Sequence, residues 1–90
     1  MHRYIIERDI QGAGAMSPQD LREISQKSCD VLRQMGPQVQ WIQSRVTADK
    51  IYCEYLAPDA DSIREHARLG GFPANAVNQV VATIDPTTAG

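Results

Sequence analysis

The sequence predicts an α+β domain in which four strands and two helices follow one another in the order βαββαβ. Two amphipathic segments with helical periodicity alternate with short segments rich in β-branched and aromatic residues. Turn-forming glycine and proline residues separate these segments. The chain has 90 residues, which suffice for one domain, so we expect residues 1–90 to form a single folded unit.

The first strand and the first helix are predicted from local patterns. Residues Arg3–Ile10 alternate between apolar and charged side chains, which is typical of a half-buried strand. A glycine-containing loop follows over Gln11–Met16. Ser17 is a good N-cap and Pro18 suits the first helical position, and apolar residues then recur at helical spacing until Gly36 ends the helix.

A hairpin and a second helix come next. Val39–Thr47 and Ile51–Ala57 predict two antiparallel strands joined by a short turn over residues 48–50. Asp59 can cap a helix whose residues 63, 67 and 70 face inward, and Gly70-Gly71 supplies its left-handed exit. Val77–Ile84 predicts the last strand, and residues 85–90 are expected to be loop.

This order of elements places both helices on one face of an antiparallel sheet, the ferredoxin-like arrangement. The other face remains open, and we expect Trp41 and Tyr52 to lie on it. An exposed aromatic sheet face is normally covered by a partner. We therefore expect a homodimer whose sheets meet face to face, a dimeric α+β barrel.

Composition excludes several classes of function. Nine basic and eleven acidic residues give a net charge of −2, and no basic block is present, so nucleic-acid and anionic-membrane binding are not expected. No apolar run reaches the length of a signal sequence or a membrane span, which predicts a cytoplasmic protein. Cys29 and Cys53 lack CxxC spacing and are expected to be reduced, packed thiols.

Two histidines are candidate metal ligands. His66 stands in the last turn of the second predicted helix, within the run His66-Ala67-Arg68-Leu69-Gly70-Gly71-Phe72-Pro73-Ala74. Its imidazole could bind a transition metal or transfer protons, or it could simply form hydrogen bonds near the helix C-terminus. His2 and the amine of Met1 could chelate Ni²⁺ or Cu²⁺, unless the terminus is frayed.

Two carboxylates are predicted to share the open sheet face. Glu7 and Glu54 lie on strands that neighbour each other in this topology, with Gln43 and Arg45 farther out. In a covered cavity such a pair could perform acid–base chemistry, whereas on a solvated face it would form salt bridges.

Two further patterns only imitate known binding motifs. The glycines of residues 12–17 resemble a phosphate-binding loop, but the third glycine is absent. Residues 50–55 occupy the position of an RNA-recognition motif, but they lack its glycine–aromatic core. Neither nucleotide nor RNA binding is expected.

Several segments together resemble a family of small bacterial nickel-binding proteins. They are the HARLGGFPA run, residues 24–29, 41–42, 49–53, 57–59 and 84–88. The resemblance covers nearly the whole chain, and the HARLGGFPA run is its most specific part. It implies a ferredoxin-like homodimer that binds nickel at its surface and has a role in nickel sequestration.

Imidazole is a suitable ligand for Ni²⁺, but two histidines cannot fill its coordination sphere. We therefore expect His66 and His2 to be joined by carboxylates, chiefly Asp59 and Glu65, with Asp61, the terminal amine, a second subunit or water as further sources.

An enzymatic alternative also remains. Dimeric α+β barrels of this size include cofactor-independent isomerases and oxygenases that enclose a small substrate between sheet and helices. In that case Glu7, Glu54, Tyr52 and His66 would be the acid–base and orienting groups. A closed apolar cavity of about 300 Å³ or more beside His66 would favour this alternative.

Overall fold

The computed structural model describes residues 1–90 and contains the predicted elements in the predicted order. The strands are β1 (His2–Asp9), β2 (Gln40–Val46), β3 (Lys50–Ala57) and β4 (Ala76–Gln79), and the helices are α1 (Pro18–Met35) and α2 (Ala60–Gly70). Short 3₁₀ turns add Ala13–Ala15 and Pro86–Ala89. Neither helix combines the length and apolar character that crossing a membrane requires.

The four strands form one antiparallel sheet in the order β2-β3-β1-β4. Both helices lie on the same face, because Ser28 of α1 lies within hydrogen-bond distance of Tyr55 and His66 of α2 packs its ring against the same tyrosine. This is the ferredoxin-like fold that the sequence predicts. The core between sheet and helices is built from inward side chains such as Tyr4, Ile6 and Ile63.

The ends of α1 follow the predicted local chemistry. The Ser17 hydroxyl accepts a hydrogen bond from the backbone N–H of Asp20, and the Asp20 carboxylate accepts one from the N–H of Ser17. These reciprocal bonds satisfy two donors that a helix start leaves without partners. Gly36, with φ of 86°, ends the helix in a conformation that disfavours other residues.

The placement of Trp41 on the open face is wrong. Trp41 pairs with the buried Tyr55 and therefore lies on the helix side of the sheet, where its Nε1 donates to Ser44 Oγ at 2.9 Å. The reason is a register irregularity between Trp41 and Gln43, which inserts Ile42 and reverses the side-chain alternation. Tyr52 does lie on the open face, as predicted.

The last strand is shorter than predicted, since β4 ends at Gln79 instead of Ile84. Gln79 pairs with Tyr4, and the backbone N–H of Val80 still donates to the carbonyl oxygen of Arg3. Continued in the same register, the pairing would bring Val81 opposite His2, the first residue of β1, but β4 ends before that point. The side chains of Val81 and Ile84 remain outside the core.

Candidate functional site

His66 is the best-buried polar residue of the helical layer. Asp59 caps α2 by accepting a hydrogen bond from the Ser62 N–H at 2.8 Å, which sets where the helix begins. From that start, Ile63, His66 and Ala67 fall on one helical face and turn toward the sheet. The His66 side chain has no exposed surface.

The His66 imidazole belongs to a chain of buried polar groups. Its Nε2 lies 3.2 Å from Ser28 Oγ, which in turn lies 3.2 Å from the Tyr55 hydroxyl. Burial, followed by the positive charge of Arg8, lowers the pKa of His66. Burial raises the pKa of the Tyr55 hydroxyl. Both side chains are therefore neutral at neutral pH, and Nδ1 of His66 has no hydrogen-bond partner.

Arg8 lies beside these buried polar groups and is only 3% exposed. Its Nε donates to Cys53 Sγ at 3.3 Å, and its Nη1 donates to the carbonyl oxygen of Pro73 at 2.6 Å. The guanidinium carbon stands 5.5 Å from the ring centre of Phe72, within cation–π range. The remaining nitrogen, Nη2, is buried and has no partner.

The HARLGGFPA run builds one wall of this site. A Cβ on Gly70 would come within 2.4 Å of the Phe72 ring, so only glycine lets that ring pack against the end of α2. Gly71 has φ of 70° and turns the chain, after which the Phe72 ring stacks on His66 with 5.8 Å between ring centres. The run thus holds an aromatic ring between an imidazole and a guanidinium.

A partly open cavity of about 90 Å³ lies between α1 and the sheet. Its walls are mostly apolar, and they carry the side chains of Arg8, Ser28, Ser44, Cys53 and Tyr55 as polar groups. The cavity is much smaller than the 300 Å³ that would favour an enzyme of the barrel type.

The predicted metal ligands are not gathered into one site. They are His2, Asp59, Glu65 and His66, and no three His, Cys, Asp or Glu side chains lie close enough together to hold a metal ion. His2 is exposed at the start of β1, where Nδ1 lies 3.2 Å from Gln79 Nε2.

The two carboxylates of α2 already have partners. Asp59 accepts two hydrogen bonds from Ser62, both at Oδ1, and they lower the pKa of this carboxyl. Glu65 forms an ion pair with Arg68 one turn further along the helix.

The four residues of the enzymatic alternative lie on opposite sides of the sheet. Glu7 and Glu54 do share the open face, as predicted, but Glu7 is paired with Lys50 and Glu54 with Arg3. Tyr52 is on that face too, whereas His66 is buried among the helices. The sheet therefore separates the carboxylates from the imidazole.

Sequence reasoning missed the most unusual residue of the site. Along β1, Arg8 follows Tyr4 and Ile6 at intervals of two residues. Strict alternation would therefore have placed it on the same, buried face. Both cysteines are free, and Cys53 is buried in the core, in agreement with the predicted packing role.

Comparison with known proteins identifies a protein family and a solved structure to which this chain is similar. Residues 4–80 match the model of a family described as nickel responsive protein SCO4226-like. The crystal structure of SCO4226 from Streptomyces coelicolor A3(2) superposes with a TM-score of 0.77 at 16% sequence identity, over 91% of this chain and 99% of that chain. At this identity the superposition supports the fold alone. No curated protein sequence gives a significant match.

Proposed function

Because the chain belongs to the SCO4226-like family of nickel responsive proteins, we propose that it binds Ni²⁺ and sequesters it, without catalysing a reaction. The observation that carries the choice of site is the exposure of His2, the one histidine whose imidazole can reach an ion in solvent. Imidazole nitrogen is a preferred ligand of Ni²⁺. In this role the metal is the cargo of the protein and not a resident cofactor.

Asp59 is the predicted carboxylate ligand that lies at the same end of the sheet as His2. His2 pairs with Ala57, the last residue of β3, and Asp59 follows two residues later at the same end of the sheet. Both hydrogen bonds from Ser62 use Oδ1, which leaves Oδ2 of Asp59 available to a metal ion. If the mature chain begins at Met1, its amine supplies a third donor.

His66 and Glu65 are weaker candidates within this proposal. His66 has no exposed surface, and the guanidinium of Arg8 beside it would repel a divalent cation. Glu65 would have to leave its ion pair with Arg68. A metal ion at His66 would therefore require the helical layer to open.

Calorimetric titration of Ni²⁺ tests the site directly. We expect binding to the wild-type protein, loss of most of the heat in His2→Ala, weaker binding in Asp59→Asn, and unchanged binding in the matched control His66→Gln. Cu²⁺ should compete for the same site, as the Irving–Williams order requires. Unchanged binding in His2→Ala, or loss confined to His66→Gln, would contradict the proposed ligands, and no binding to the wild type would contradict the function.

The proposal includes a homodimer. Val81 and Ile84 are 93% and 78% exposed, in the segment that follows the end of β4. Val80, Ala82 and Thr83 border a groove of about 520 Å³ over the open sheet face, which Ile5 and Glu54 also line. A second copy would cover both the groove and the unpaired segment, and an apolar segment this exposed is typical of an interface.

Sedimentation velocity at micromolar concentration tests the dimer. We expect a dimer for the wild type and dissociation for the double variant Val81→Glu and Ile84→Glu. Ala89→Glu, which adds the same charge nearby in the exposed tail, should remain dimeric. A monomeric wild type would refute this part of the proposal.

A further inference from the structure

We propose that the cavity between α1 and the sheet binds a small organic carboxylate, with the carboxylate on Arg8 and the apolar part against α1. Such binding is independent of nickel, because the cavity and His2 use different residues.

The positive charge of Arg8 is unbalanced. The side chain is 3% exposed, yet no carboxylate oxygen lies within the 4.0 Å that defines a salt bridge. Its three contacts are a cysteine sulfur, a backbone carbonyl oxygen and an aromatic ring. Buried charges in proteins are normally paired, since an unpaired one loses hydration without compensation. An anion beside Arg8 would supply the missing partner.

The hydrogen-bond donors of the cavity are held in place. Nε and Nη1 of Arg8 are fixed by Cys53 and Pro73, so the guanidinium cannot turn away, and Nη2 is left buried without an acceptor. Tyr55 adds a hydroxyl group to the cavity wall, whereas the Ser44 hydroxyl already donates to Cys53 Sγ at 2.9 Å. Such a preorganised set of donors suits a carboxylate, whose two oxygens accept charge-assisted hydrogen bonds.

The remainder of the cavity is apolar and small. Leu21 and Ile24 of α1 face Trp41 and Ile51 of the sheet, and the Phe72 ring lies near Arg8. A cavity of about 150 Å³ holds benzene, which has six non-hydrogen atoms, so on that scale this space of about 90 Å³ suits about four. The matching ligand is acetate, the aliphatic monocarboxylate with four non-hydrogen atoms.

The decisive test compares two ligands of the same shape on the unmodified protein. Trp41, the single tryptophan, lines the cavity, so its fluorescence reports binding. In metal-free buffer we expect acetate to bind at least about tenfold more tightly than acetamide, since a hydrogen bond to a charged group is worth that factor or more. Equal binding of the two, or no response to acetate up to about 100 mM, would overturn the proposal.

Two variants and one competing anion locate the site. Ile24→Phe should fill the cavity and abolish the response to acetate. Arg8→Lys should weaken it, whereas the exposed control Arg45→Lys should leave it unchanged. Inorganic phosphate should not displace acetate, because the apolar walls offer no further cations to it. Binding that persists in Ile24→Phe, or tighter binding of phosphate than of acetate, would refute the assignment. The ligand comparison needs no variant and stays decisive if Arg8→Lys fails to fold.

Discussion

The stability of the protein should fall as the pH drops below about 6.5, and the replacement His66→Gln should remove much of that dependence. His66 has no exposed surface, and burial together with Arg8 lowers its pKa in the folded state. In the unfolded chain its pKa returns to the ordinary value of 6.5. Between those two values the unfolded chain binds a proton that the folded protein does not.

The sign and size of the effect follow from proton linkage. The stabilisation is fully present above the unfolded-state pKa and is lost as the pH falls toward the folded-state pKa. One extra proton bound by the unfolded chain lowers the free energy of unfolding by up to about 1.4 kcal/mol for each pH unit. Asp59 and Asp85 do not contribute to the slope in this pH range, because hydrogen bonds lower their pKa values from 3.8.

Urea unfolding between about pH 7.5 and pH 5 measures the slope. The variant His66→Gln is expected to be less stable at every pH, since the replacement disturbs a packed site, so the comparison uses slopes and not absolute values. His2→Gln is the matched control because His2 is exposed, and it should keep the wild-type slope. A wild-type slope in His66→Gln would refute the reasoning.

Three further expectations concern the packing around the site. Gly70→Ala should destabilise the protein by about 1–3 kcal/mol, because the new Cβ would lie 2.4 Å from the Phe72 ring; calorimetric melting measures the loss, and an unchanged melting temperature would contradict it. Ser17→Ala should cost about 1 kcal/mol through the lost N-cap of α1, measured by urea unfolding and contradicted by wild-type stability. Ile63→Ala should cost about 2–5 kcal/mol, whereas Ile63→Val should cost about 0.5–1.5 kcal/mol; equal losses would show that this position is not tightly packed.

The candidate site was only partly predictable. His66 was expected near the buried face because its helical position is a local property, and its place in α2 agrees with that expectation. Ser28 and Tyr55, the other members of this hydrogen-bonded group, come from α1 and β3. No local sequence pattern predicts that these side chains come together with His66. The metal ligands stay a prediction, with His2 and Asp59 at one end of the sheet and His66 inside the helical layer.

The sequence by itself determined the elements whose signals are local. The Ser17 cap, the glycine exit at Gly71 and the alternation in β1 depend on residues a few positions apart, and they specify the ferredoxin-like order. Tertiary structure alone decided that an irregularity in β2 turns Trp41 toward the helices, and that the last strand ends at Gln79. It also decided that Arg8 is buried without a counter-charge. These outcomes depend on strand pairing between residues far apart in the chain, and periodicity within a short segment carries no information about the length or register of its partner.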